Sequence, residues 1–156
     1  GDMDISFIDE QPKNRIPIKT EITEPKKLDS VYELIKKEMN NGRFCFIVYP
    51  IISESEKLDL KDAESGYKKF KDVVFRDYKV GFLHGKLKKD EKSKLMDLVN
   101  SGEIQCLVST TVVEVGINNP NATIMLIENS ERFGLTQLHQ LRGRVGRGKF
   151  QSYCIW

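Results

Sequence analysis

From Leu28 the apolar residues fall at Leu28, Val31, Tyr32, Leu34, Ile35 and Met39, a helical spacing, and Gly42 supplies a C-terminal stop. Arg43 to Tyr49 is continuously apolar after its first residue, which predicts a strand buried on both faces rather than one. The same alternation then repeats. An acidic, serine-containing stretch from Ile51 to Leu60 predicts a loop, and Ala63 to Phe75 predicts a helix carrying Tyr67, Phe70 and Val74. A strand is expected at Val80 to Leu83, a helix at Lys88 to Asn100 ending at Gly102, and strands at Ile104 to Val108 and Thr123 to Ile127. A helix at Thr136 to Leu141 and a strand at Ser152 to Trp156 close the pattern. Before Leu28 the chain is polar and broken by Pro12, Pro17 and Pro25, with short extended pieces at Ile5 to Ile8 and Ile16 to Ile22. Strands that do not alternate, interleaved with helices, predict an α/β fold: a doubly wound, mainly parallel sheet with helices on both faces and its loops gathered at one edge. Internal repeats and low-complexity segments are absent from the sequence.

Composition narrows the class without naming an activity. The chain has 156 residues, 39% hydrophobic and 31% charged, which is ordinary for one globular domain. Apolar runs stay far short of the roughly 20 residues that a membrane span needs, and no signal peptide is visible. A start at Gly1 rather than Met, and an end inside the strand-like Tyr153-Cys154-Ile155-Trp156, suggest an excised piece. Cys45, Cys106 and Cys154 sit in apolar strand-like runs without a CxxC pair, which predicts buried thiols in a reducing compartment. Those cysteines and the widely separated His84 and His139 do not make a zinc pattern, so no metal ligands are assigned.

The net charge is +2, and its distribution says more than its size. Lys86 to Lys94 holds five lysines against Asp90 and Glu91, and Arg142 to Lys149 holds four cations and no acid. The lysine run serves equally as a solvated helix face or as a phosphate-facing surface. The second run, within Gln137 to Gly148 (QLHQLRGRVGRG), sets Arg142, Arg144 and Arg147 among Gly143, Gly146 and Gly148. Glycine lets the backbone approach a ligand closely, and the guanidinium fork suits phosphate oxygens. Taken alone, such a run reads as a solvated basic loop. Two further segments bear on it. Val108 to Pro120 (VSTTVVEVGINNP) puts hydroxyls at the end of a strand, either as a helix N-cap or as ligand groups at the carboxyl edge of a sheet. Leu83-His84-Gly85 likewise follows an apolar run.

In this order and spacing the segments resemble motifs of the superfamily 2 helicases. VGFLHG is similar to the motif between IV and V, STTVVEVGINNP to motif V, and QLHQLRGRVGRG to motif VI. Ala122 to Gln140 narrows the resemblance to the RecG and transcription-repair-coupling branch. Tyr49 to Ala63, Ile8 to Thr20 and the order Glu114-Val115-Gly116 resemble RecG in particular. The resemblance implies that residues 1–27 link to a preceding motor domain, and that 28–156 form the second RecA-like domain, truncated at its C-terminal end. It implies a bacterial, cytoplasmic, nucleoid-associated ATP-dependent double-stranded DNA translocase that remodels stalled forks and branched recombination intermediates. ATP and magnesium would be held mainly by the first motor domain, and a wedge domain of the same chain would grip forked DNA.

Residue roles carry over with that resemblance. Arg147 maps to the arginine finger and Arg144 to a second phosphate ligand; Gln140 faces the nucleotide. Gly116 and Asn118 map to motif V positions near the nucleotide sugar, although the family usually has Asp where Asn118 stands. Asn118 still offers a carbonyl to a ribose hydroxyl, without charge. Thr110, His84 and Gly85, with Tyr49 and Pro50, would line the DNA track, and Glu114 would couple the DNA and ATP sides. The sequence has no GxxxxGK[ST] phosphate loop and no strand-borne DExH or DEAD box, so the chain alone is expected to be inactive on ATP. A non-catalytic nucleic-acid-binding module is the alternative from another class, and a coupling translocase the alternative within the branch. The retained Arg144 and Arg147 argue for the motor.

Overall fold

The computed structural model describes residues 19–21, 27–51, 56–110, 121–129 and 151–155. Six strands form one sheet: β1 (Lys19–Glu21), β2 (Phe44–Val48), β3 (Val80–Leu83), β4 (Cys106–Ser109), β5 (Ala122–Ile127) and β6 (Tyr153–Ile155). The order across the sheet is β1-β6-β5-β2-β4-β3, and every neighbouring pair is parallel. Among the described residues three α-helices accompany it: α1 (Leu28–Asn40), α2 (Glu56–Lys69) and α3 (Lys89–Asn100).

The unbroken apolar runs are explained by what lies above and below the sheet. On β2, Cys45 and Ile47 face a cluster that includes Val31, Ile35 and Met39 of α1 and Ala63 of α2. Phe44, Phe46 and Val48 face the opposite cluster, with Val99 of α3 and, at its margin, Leu95 and Met96. Both faces of the strand are therefore dry, and all five of its residues are buried. Val31, Ile35 and Met39 recur every four residues along α1, which gives that helix its buried stripe. Cys45, Cys106 and Cys154 are buried and form no disulfide among themselves, in line with their apolar contexts.

Helix ends follow the expected chemistry. Gly42 and Gly102 close α1 and α3 with φ of 83° and 86°, a backbone region that costs glycine nothing. Two element boundaries differ from the sequence pattern. The polar stretch before Leu60 is helical from Glu56, because only one side of α2 meets the sheet and its other residues face solvent. The helix then widens into a π-helical turn, Phe70–Val74, closed by the Phe75 N–H donating to the Phe70 carbonyl at 2.7 Å. The wider turn brings the Phe70 and Phe75 rings into a stack, with centroids 5.6 Å apart. β4 begins at Cys106 rather than Ile104, whose side chain packs in the cluster on the α3 side of the sheet. Part of the Ile16 to Ile22 stretch is extended as expected, and β1 pairs with β6 at the sheet's margin. The expected helix at 136–141 lies outside the described residues.

A buried polar link joins α1 to β5. The Thr123 hydroxyl donates to Glu38 Oε1 at 2.8 Å, and Arg43 Nε lies 3.7 Å from the same oxygen. Thr123 is 1% exposed and Glu38 is 8% exposed, so water replaces neither partner cheaply. Thr123→Val keeps the shape but leaves a buried carboxylate short of a donor, and should cost about 1–3 kcal/mol in urea unfolding.

Candidate nucleic-acid and nucleotide edge

Because all strands are parallel, their carboxyl ends fall on one edge, where open α/β sheets bind ligands. Register fixes the order along that edge. Val48 is opposite Ser109 on one side and Ile127 on the other, while Leu83 is opposite Ser109. The next residues along each strand, Glu128, Tyr49, Thr110 and His84, therefore stand in a row across β5, β2, β4 and β3. Three hydrogen bonds extend the ladder through the row: Glu128 N–H to the Val48 carbonyl (2.8 Å), Tyr49 N–H to Ser109 (2.9 Å) and Thr110 N–H to Leu83 (3.0 Å).

The five described residues assigned to a DNA track are thus brought to one edge, but not with equal access. Tyr49 is 6% exposed, Thr110 is 8% exposed, and Pro50 is buried as well. The Tyr49 side chain is pressed against the backbone of Gly66 in α2. Its phenol is pushed up from its ordinary pKa by burial, and further by the negative charges of Glu128 and Asp62, with Tyr32 also contributing. Tyr49, expected on the DNA track, has its ring in the core, where a strand-end tyrosine with an apolar body packs readily. Pro50, buried beside it, does not offer an open side chain either.

His84 and Gly85 are accessible. His84 opens a turn in which the Leu87 N–H donates to the His84 carbonyl at 3.3 Å. Gly85 is exposed, and a Cβ added there would meet nothing within 4 Å, so packing does not require glycine at this point. Lys86, Lys88 and Lys89 follow, all exposed, and α3 begins where the Lys88 N–H is accepted by Glu91 Oε1 at 2.9 Å. The edge thus sets the His84 imidazole beside a run of cations, which suits phosphate oxygens.

Burial pushes the pKa of His84 below its ordinary 6.5; Glu91 and Glu64 pull it up, while Lys86 and Lys92 push it down. The shift favours the neutral ring. As pH falls past 6.5 the unfolded chain takes up this proton before the folded one, so the stability held above that pH is lost as pH drops through the lower folded value. Urea midpoints measured from about pH 7.5 to 5 should fall, and His84→Gln should flatten that part of the slope.

Two residues of the edge were not singled out by sequence. Glu128 completes the row, and its only signal was its place directly after the β5 run. Asn129 beside it holds φ of 53°, a left-handed turn that Asn tolerates well. Glu114, Gly116, Asn118, Gln140, Arg144 and Arg147 lie outside the described residues. Among the described residues, no group of three or more His, Cys, Asp or Glu is placed to hold a metal ion, and no helix is long and apolar enough to cross a membrane.

A parallel sheet carrying its polar groups along one carboxyl edge defines an α/β ligand-binding domain of the RecA-like kind. The chain belongs to the helicase conserved C-terminal domain family, which it matches over residues 26–149. It is similar to ATP-dependent DNA helicase RecG of Synechocystis, 50% identical over 99% of this chain and 19% of that protein. RecG of Bacillus subtilis is also 50% identical, over 99% of this chain and 23% of its own length. Among solved structures, RecG bound to a three-way DNA junction superposes with a TM-score of 0.73 at 44% identity, covering 94% of this chain and 19% of that one. The chain therefore spans about a fifth of the length of the relatives it matches.

Proposed function

We propose that this chain is the second motor domain of an ATP-dependent double-stranded DNA translocase that remodels stalled replication forks and branched recombination intermediates. The observation that carries the reading is the row Glu128, Tyr49, Thr110 and His84 on one hydrogen-bonded edge, in a chain about half identical to RecG. The three-way junction in the RecG structure supports branched DNA as the partner.

The mechanism divides the edge into two roles. The His84–Gly85 turn and the lysines after it hold the DNA backbone: donors at fixed spacing position the strand without reading its bases. Thr110 locks the end of β4 to β3 through its backbone and, in this reading, offers its hydroxyl to a phosphate. ATP with magnesium, when bound, would supply the phosphoryl group whose transfer to water powers movement. Arg147 would act as the finger that neutralises charge developing on the phosphoryl oxygens, and Arg144 would hold a phosphate beside it. By the family resemblance Gln140 would face the nucleotide, Gly116 and Asn118 would lie near its sugar, and Glu114 would couple the two sides of the cleft. The phosphate loop and the magnesium carboxylate belong to the first motor domain, and the wedge domain engages the fork.

Phosphate release by this chain alone should stay at background with and without forked DNA. Titration with forked duplex should show weak binding that falls steeply between low and physiological salt, as expected when Lys and Arg displace condensed counterions. DNA-stimulated turnover by the chain alone would sink the half-motor assignment. Salt-insensitive or sequence-selective binding would sink backbone tracking.

A further inference from the structure

The imidazole of His84 is held by more than its own turn. Its Nδ1 accepts the Lys86 backbone N–H at 3.2 Å. Its ring rests on Phe82, centroids 4.8 Å apart and planes tilted by 44°. Phe82 in turn stacks on Tyr67 of α2, centroids 5.1 Å apart and planes within 17°, and Lys71 Nζ lies 5.6 Å from the Tyr67 ring centroid. A chain of three rings, anchored in α2, thus reaches the carboxyl end of the edge strand β3.

An imidazole whose Nδ1 accepts a hydrogen bond while neutral carries its proton on Nε2. We infer that His84 acts as a neutral Nε2–H donor to a phosphate oxygen of the DNA backbone, with Phe82 and Tyr67 as positioning residues that fix the ring for it. The inference rests on the DNA-tracking reading and adds the tautomer, the donor atom and two residues that never touch DNA. The neutral form suits the site. A charged ring would put donors on both nitrogens, turn Nδ1 against the Lys86 N–H, and break the contact that orients it. The groups facing the ring are Glu64 from α2, Glu91 and Lys92 from α3, and Lys86 from its own turn. Acids and cations are evenly matched among these four, so no single charge forces protonation.

Nitrogen-15 NMR of the 156-residue chain labelled at histidine tests this directly, with His139→Gln identifying the His84 signals. The expected result at pH 7.5 is a protonated Nε2 and an unprotonated Nδ1, with the Nε2 resonance moving when forked DNA is added. His84→Ala should weaken DNA binding about tenfold, the scale of one phosphate hydrogen bond. Phe82→Leu should weaken it by a similar factor and bring the two ring nitrogens toward averaged shifts, while Phe82→Tyr, which keeps a ring, should restore both. Phe82→Leu should add nothing in the His84→Ala background, because it acts through His84. A protonated Nδ1 in the parent chain overturns the inference and leaves DNA tracking standing. So does an Nε2 signal that ignores DNA while the chain binds it, or full additivity of the two substitutions. Should the chain bind no DNA at any salt, both the inference and the reading beneath it fall. The tautomer measurement needs only the parent chain, so a poorly folding Phe82→Leu does not protect the proposal.

Discussion

In a protein carrying both motor domains, Arg147→Ala is expected to cut ATP turnover by roughly 10³-fold or more, the scale of an arginine finger in related NTPases. ATP and DNA affinities should change little, because the guanidinium acts mainly on charge that exists in the transition state. Arg147→Lys should recover little of the loss, since an ammonium is a point charge and not a planar fork. Steady-state phosphate release and equilibrium binding, measured on the same preparations, separate these effects. Turnover within a few-fold of the parent would reduce Arg147 to a surface charge. A large drop in the urea midpoint of the 156-residue chain would make it a structural arginine instead. Either result would remove the motif VI carry-over at its central residue.

The largest effect on folding is expected at Gly66. A helix interior ordinarily gains about 1 kcal/mol when glycine becomes alanine. Here an added Cβ would run into the hydroxyl and ring of Tyr49, whose Cε1 would lie 2.8 Å away. That ring is 6% exposed and has little room to retreat. Gly66→Ala should therefore destabilise the chain by about 1–3 kcal/mol despite the helical preference, as overpacking does. Tyr49→Leu, which shortens the opposing side chain, should make the same Gly66→Ala change much less costly. Urea denaturation of the four chains closes the cycle. A stabilised Gly66→Ala would mean that the α2 backbone does not sit against Tyr49.

Much of the fold was legible in the sequence because burial on both faces of a parallel strand leaves an unmistakable run, as in Phe44 to Val48 and Ala122 to Ile127. Helix α1 announced itself through Val31, Ile35 and Met39, and α3 through its glycine stop. The start of α2 was less legible: a helix that shows most of its surface to water reads as a polar loop when taken residue by residue. The candidate edge was legible as a set of strand ends, since parallel strands must share a carboxyl edge. What sequence did not give was depth. Tyr49 and His84 both follow strands and both carry a ring, yet Tyr49 turns into the core against a glycine in α2, whereas His84 stays accessible above Phe82. That difference depends on which helix residue lies opposite, a pairing between positions seventeen residues apart for Tyr49 and Gly66. Glu128 was passed over for the same reason: nothing in its own neighbourhood marks it, and only register brings it level with the others.

The three ladder bonds at the strand ends also decide how the domain transmits load. A loop hinged to one strand bends by itself, like a finger. Here a pull on the His84 turn reaches Thr110 through Leu83, Tyr49 through Ser109, and Glu128 through Val48, each across one peptide group. The edge therefore yields as a single beam across β3, β4, β2 and β5.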